Sequence, residues 1–241
     1  MQTRRGGILV ALDTTDLARA RDWARATAGA VAGVKLGLEF FTAQGPEGVR
    51  QVAETGAPVF LDLKFHDIPN TVAGAIRGVA PLRPAIVNVH AAGGSVMMRA
   101  ALDAARDAAA QLGVAPPKVI AVTVLTSLGD DDLAAVGQPH KAEDQVRRLA
   151  ALTQESGLDG VVCSPREIAQ LRRDLGADFL LVTPGVRPGW AAAGDQKRVM
   201  APGEAAAAGA DYLVIGRPIT AAADPAAAVR RIAQEITGAA A

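Results

Sequence analysis

One cysteine in 241 residues, Cys163, has no partner for an intramolecular disulfide and cannot alone build a thiolate zinc site. A reducing cytoplasm is the expected location. An excess of charge is also missing, since Lys+Arg and Asp+Glu stand at 25 each. With no global basic field to hold nucleic acid or an anionic membrane, any anion-binding site must be local. Long apolar runs are absent too. Nowhere do about eighteen uncharged apolar residues follow one another, which excludes a membrane-spanning helix. The charged start Met1-Gln2-Thr3-Arg4-Arg5 leads into an apolar run at 8–12 that is too short for the core of a signal peptide. No Pro/Ser-rich linker interrupts the chain, so residues 1–241 are read as a single domain. Half the residues are hydrophobic and 21% are charged, the composition of an ordered globular protein with a sizeable core.

What is present is an alternation. Short β-branched apolar runs at 8–12, 33–36, 59–63, 85–89, 119–125, 160–163, 179–183 and 212–215 read as strands, and most lack the polar alternation of a half-exposed sheet. Helix signals fall between them. Ser164-Pro165-Arg166-Glu167 has a capping residue, proline at the first helical position and Glu three residues on. Asp224-Pro225 opens the last helix in the same way, with Gly238 near its end, and Pro46 and Gly56 are expected to bracket the second helix. The alanines at 205–208 read as helix surface filler. About eight such units point to an α/β protein, a single-domain (β/α)8 (TIM) barrel. A doubly wound open sheet shares the local pattern, but the turn Leu12-Asp13-Thr14-Thr15-Asp16 has no Gly-x-Gly-x-x-Gly.

In such a barrel the site forms at the C-terminal ends of the strands, so polar residues there are the informative ones. The first strand ends in Asp13, and the second carries Lys35 within Gly33-Val34-Lys35-Leu36-Gly37. The third ends in Asp62-Leu63-Lys64-Phe65-His66-Asp67-Ile68-Pro69-Asn70-Thr71. The fifth runs into Thr126-Ser127, the seventh into Thr183-Pro184-Gly185-Val186-Arg187-Pro188, and the eighth into Gly216-Arg217-Pro218. Two residues apart on a strand, Asp62 and Lys64 project to one face, and as buried charges they must pair. Lys35 adds a second cation and Asp67 a second anion, giving an alternating array that holds an acidic ammonium beside a fixed carboxylate. The same spacing also fits a salt-bridge network that merely closes the barrel. Arg187, Gly216 and Arg217 occupy the loops that often make a barrel's phosphate site, and Gln196 lies on the long loop after the seventh strand.

These motifs, in this order and over nearly the whole chain, resemble the orotidine 5'-monophosphate decarboxylases of the shorter bacterial type. The most specific segment is the one from Asp62 to Thr71, supported by Asp195-Gln196-Lys197-Arg198 and Tyr212-Leu213-Val214-Ile215-Gly216-Arg217-Pro218-Ile219-Thr220. The resemblance implies conversion of orotidine 5'-monophosphate to uridine 5'-monophosphate and CO2, with no metal and no cofactor. It implies that Lys64 is the proton donor and that Asp62 stands beside the departing carboxylate. Asp67, with Ile68 and Thr71, is then contributed to the neighbouring subunit's site in a homodimer. Lys35 and Asp13 match ribose-hydroxyl contacts, and Thr126 and Ser127 lie in the motif facing the pyrimidine. Pro184, Arg187, Gln196, Gly216 and Arg217 match substrate contacts, chiefly to phosphate.

Other polar residues read as structural. His66 is expected to point away from Lys64 if strand alternation persists, His90 to make a structural hydrogen bond, and His140 to be solvated. Cys163 reads as a buried thiol, Asp130-Asp131-Asp132 as a helix start, and Trp23 as helix packing. The rival enzymes are sugar-phosphate decarboxylase or aldolase barrels sharing an Asp-x-Lys-x-x-Asp strand. Those use magnesium and carry an acidic residue where this chain has Lys35. A silent nucleotide-binding barrel is the alternative outside enzymes, and it gives no reason for Asp62, Lys64 and Asp67 to occur together.

Overall fold

The computed structural model describes residues 6–191 and 200–239. Eight parallel strands close into a barrel in chain order. They are β1 (Gly7–Ala11), β2 (Gly33–Gly37), β3 (Val59–Phe65), β4 (Ile86–His90), β5 (Lys118–Val122), β6 (Gly160–Val162), β7 (Leu180–Thr183) and β8 (Tyr212–Ile215). Outside them run α1 (Leu17–Thr27), α2 (Leu38–Ala53), α3 (Pro69–Val79), α4 (Gly94–Leu112), α5 (Asp130–Ala135), α6 (Ala142–Glu155), α7 (Ile168–Leu175), α8 (Pro202–Ala208), α9 (Arg217–Thr220) and α10 (Pro225–Gly238). The ring closes where β1 pairs with β8, Gly7 opposite Tyr212.

Strand alternation makes two cores. Val10, Leu36, Leu61, Val87 and Ala121 face the helices, in the larger apolar layer. Leu9, Ala11, Phe60, Ile86, Ile120, Val182 and Val214 fill the barrel interior. Both faces are therefore buried, which is why the strands read as continuous apolar runs. The helices start where the sequence signals place them. Asp16 and Asp224 accept hydrogen bonds from the backbone N–H groups of Arg19 and Ala227, caps worth about 1 kcal/mol each. The side chain of Glu167 bonds back to the N–H of Ser164, and the three aspartates 130–132 form the first turn of α5. Among the described residues no helix is long and apolar enough to cross a membrane.

Three local expectations need correction. Pro46 lies inside α2 rather than before it, because the helix begins at Leu38 and kinks where Gly45 takes a φ of 60°. The fifth strand ends at Val122, not Leu125: beyond it the Thr123 hydroxyl bonds to the carbonyl of Val162, and the chain turns from Leu125 to Leu128. Ala205 and Ala206 are buried rather than surface filler. They belong to α8, which packs closely on α10, where a Cβ on Gly203 would lie 2.6 Å from the carbonyl oxygen of Glu235.

Candidate active site

The mouth of the barrel gathers charges from three adjacent strands. Lys35, on β2, reaches Asp13 at 2.9 Å and Asp62 at 3.6 Å. Asp62, on β3, takes the Lys64 ammonium at 2.6 Å on its other oxygen. Gly37 makes room for this: a Cβ there would lie 3.0 Å from the Lys35 Nζ. Asp62 is nearly buried, and burial pushes its carboxyl up. The two ammonium groups, with hydrogen bonds from Lys64 and Asn88, outweigh burial and hold it below the ordinary carboxylate range.

Asp62 and Lys64 meet as expected, though not by simple strand alternation. Lys64 has a φ of 52°, and it shares the left-handed region with only one other non-glycine among the described residues, Arg83. The β3–β4 ladder shifts register here. Alternation therefore ends at Lys64, and His66 turns outward to lie against His90, ring centroids 5.3 Å apart. Burial, then His66 and Lys64, lower the pKa of His90. Asn88, in the middle of β4, is the site residue that a search of strand ends passes over. It is fully buried and bonded to both Lys64 and Asp62. A lone amide in the run Ile86-Val87-Asn88-Val89 was the available signal.

Beside the array lies a cavity of about 380 Å³ whose lining includes Asp13, Lys35, Pro184, Arg187, Gly216 and Arg217. Six of the sequence-derived substrate contacts thus share one space, and Asp62 and Lys64 join it through Lys35. The loop after β7 is anchored at both ends. Val186 bridges to Met200, and the Trp190 indole donates to Glu235 while Arg231 stacks on its ring. Gln196 and its neighbours from Asp195 to Arg198 lie outside the described residues.

Asp67 does not supply the second anion of its own chain's array; Asp13 does. Asp67 lies past the end of β3, exposed, with its carboxylate accepting from the N–H of Ile68. Ile68 and Thr71 are exposed beside it, as are Thr126 and Ser127 in the turn after β5. Cys163 is buried, and burial raises its thiol to about 12. Trp23 packs on the core under Arg19, and the His140 ring lies 2.9 Å from Arg148 in an exposed pair. Among the described residues no three carboxylate, imidazole or thiol groups converge as a metal site requires.

Comparison with known proteins places this geometry. The family model described as orotidine 5'-phosphate decarboxylase / HUMPS matches residues 7–232. The chain is 61% identical over 238 residues to the orotidine 5'-phosphate decarboxylase of Rhodospirillum rubrum, covering 98% of this chain and 96% of that one. It is 58% identical to the protein of the same name from Paramagnetospirillum magneticum, over 95% of this chain and 97% of the relative. A crystal structure of orotidine 5'-phosphate decarboxylase from Lactobacillus acidophilus superposes with a TM-score of 0.84 at 38% identity, covering 95% and 98% of the two chains.

Proposed function

The chain belongs to the orotidine 5'-phosphate decarboxylase / HUMPS family and has the decarboxylase's function; from that premise we propose that it converts orotidine 5'-monophosphate to uridine 5'-monophosphate and CO2 without a metal, through a C6 carbanion that Lys64 stabilises and protonates. The observation that carries this reading is the Lys35–Asp62–Lys64 array beside a cavity that also holds Arg187 and Arg217. The step would complete the making of a pyrimidine nucleotide.

When the bond from C6 to the carboxylate breaks, its electron pair stays in an sp2 orbital lying in the ring plane. The ring π-system cannot delocalise it. The Lys64 ammonium, fixed before the reaction begins, opposes that charge and then gives C6 a proton, which solvent returns to the lysine. Asp62, held ionised, faces the departing carboxylate and favours its loss as neutral CO2. A barrier reduction on the order of 20 kcal/mol is more than one contact supplies, so remote groups must contribute. Lys35 and Asp13 take the ribose hydroxyls, Thr126 and Ser127 the pyrimidine, and Pro184, Arg187, Gln196, Gly216 and Arg217 the phosphate end. At Gly216 the lack of a side chain leaves the backbone open to an anion at the phosphate end, where a Cβ would stand 3.5 Å from Ala11.

Lys35 also separates this reading from the magnesium-dependent sugar-phosphate enzymes. It stands between Asp13 and Asp62, where a divalent cation bound by those carboxylates would have to sit. Loss of ultraviolet absorbance from orotidine 5'-monophosphate is the test, and it should continue after exhaustive chelation. No loss with folded protein, or loss restored only by magnesium, overturns the reading.

Two features support a homodimer with shared sites. Asp67 is exposed past the end of β3 with its carboxylate on the Ile68 N–H, and Leu38, Ile68 and Val96 stand exposed at the starts of α2, α3 and α4, on neighbouring parts of the mouth. A second copy covering this rim would bury those side chains and bring Asp67, Ile68 and Thr71 to the partner's cavity. The single buried thiol fits a reducing cytoplasm.

A further inference from the structure

The ladder between β3 and β4 loses step at the catalytic lysine. Leu61 pairs with Val87 and Phe65 with Val89. Asp62, Leu63 and Lys64 therefore stand against a single residue, Asn88. Such a bulge leaves backbone groups without ladder partners and re-aims side chains. It also puts Lys64 at a φ of 52°, a conformation that a side-chain-bearing residue keeps only when its surroundings impose it.

Asn88 supplies what the ladder lacks. Its Oδ1 accepts the Lys64 backbone N–H at 2.8 Å, and its Nδ2 donates to the Asp62 Oδ1 at 2.7 Å. The residue is wholly buried, and each end of the amide meets the only kind of partner it can use. The Asp62 oxygen it holds is the one that receives the Lys64 ammonium. One side chain thus fixes the lysine by its backbone and the aspartate by its carboxylate. We propose that Asn88 is a positioning residue, whose amide sets where the Lys64 ammonium and the Asp62 carboxylate stand without itself touching substrate. This rests on the roles given above to Lys64 and Asp62.

A merely structural amide would stabilise the bulge and leave the chemistry alone, so the test must separate the two. Asn88→Asp keeps the acceptor for the Lys64 N–H and replaces the donor to Asp62 by a second carboxylate oxygen. The titratable groups around Asp62 are the Lys35 ammonium from β2, the Lys64 ammonium from β3, the His90 imidazole at the end of β4 and, through Lys35, Asp13 after β1. Among these a new carboxylate must share protons with Asp62. In Asn88→Asp, kcat should fall about ten- to a hundredfold, with KM for the monophosphate within about threefold of wild type. The carboxyl carbon of Asp62, followed by NMR, should titrate at clearly higher pH than in wild type. Asn88→Leu removes both bonds, and the Lys64 amide should then exchange with deuterium about ten- to a hundredfold faster than in wild type.

Unchanged kcat with an unmoved Asp62 titration in Asn88→Asp overturns the proposal. So does a rise in KM as large as the fall in kcat. If neither variant folds, wild type alone decides: a Lys64 amide that exchanges faster than the ladder amides of β4 overturns it, and one equally protected supports it. Exchange and titration need no turnover. A wild type inert on orotidine 5'-monophosphate would therefore sink the functional reading and leave these two measurements to judge the positioning.

Discussion

Two ion-pair clusters sit at opposite ends of the barrel and are built in different ways. At the floor, before β7 and β8 begin, Arg172 spends its whole guanidinium. Its nitrogens reach the carbonyls of Gly176, Ala177, Phe179 and Gly209 and the carboxylate of Asp211, at 2.6–3.2 Å. Asp211 in turn accepts the N–H of Leu181, and Asp159 repeats the device one strand pair away on Val119. At the mouth, the Lys64 ammonium makes one hydrogen bond among the described residues, and its side chain is 28% exposed. An ammonium carries three donors. The floor also borders a cavity, lined by Asp159, Gly176, Ala177 and Phe179, but the Arg172 guanidinium there is saturated by protein acceptors, whereas the Lys64 ammonium at the mouth has donors to spare. Saturation is what separates a charge network that holds a fold together from one that can act on something else.

The largest effect expected from that contrast is at Lys64. Lys64→Ala should lower turnover about ten-thousandfold, the upper end of what a positioned proton donor contributes. Binding of uridine 5'-monophosphate, measured by calorimetry, should survive, because the lysine works chiefly after binding. An active variant sinks the assignment. At the floor the pattern should invert. The Arg172 and Asp211 side chains are only 12% and 7% exposed, so Arg172→Leu strands a buried carboxylate and several carbonyls. A stability loss of about 3–5 kcal/mol in denaturant titrations is expected, with kcat at a temperature where the protein remains folded close to wild type. Should Arg172→Leu instead keep its stability and lose turnover, the division between the two clusters fails.

Legibility in the sequence follows the same division. The barrel was readable because buried parallel strands are continuous apolar runs, and because capping residues mark the helices between them. Asp13, Lys35, Asp62, Arg187 and Arg217 were readable because a charge at the end of an apolar strand needs a reason. Asn88 was missed because it is a mid-strand residue, and its partners are 24 and 26 positions away. The Asp62–Lys64 contact was foreseen on the ground of strand alternation, which the left-handed Lys64 breaks. The floor was invisible for a related reason. Arg172 and Asp211 are 39 residues apart, and although Asp211 opens the family-like segment that runs to Thr220, nothing in the sequence ties it to Arg172. Sequence shows where polarity is unusual; which partner satisfies it depends on closure of the ring.

A smaller effect sharpens the picture of the cavity. Arg217→Ala should cost roughly 1.5–3 kcal/mol, about ten- to a hundredfold in kcat/KM for the monophosphate. A truncated substrate lacking phosphate should be affected little. Adding phosphite as a separate piece should raise turnover of that truncated substrate by wild type and do much less for the variant. Equal losses on both substrates would place Arg217 at the ring or in the fold.

The smallest effect asks whether the mouth, unlike the floor, is finished by a second chain. Arg172 meets every one of its partners within one chain, so no mixing of subunits can repair a floor variant. Asp67 is different, since it is exposed and, among the described residues, makes no ion pair with its own Lys64. If it serves the partner's cavity, Asp67→Ala and Lys64→Ala are each nearly inactive as homodimers, yet they can complement one another. In a mixed dimer one site carries both defects, while the other joins native Lys64 from one chain to native Asp67 from its partner. Random pairing of equal amounts makes about half the dimers mixed, each with one good site in two, so co-refolding should return about a quarter of wild-type activity. Mixing Arg172→Leu with an Asp211 variant should return no stability to either. If the first mixture stays inactive although subunit exchange is verified by differently tagged chains, Asp67 acts within its own chain. The mouth would then be as self-contained as the floor.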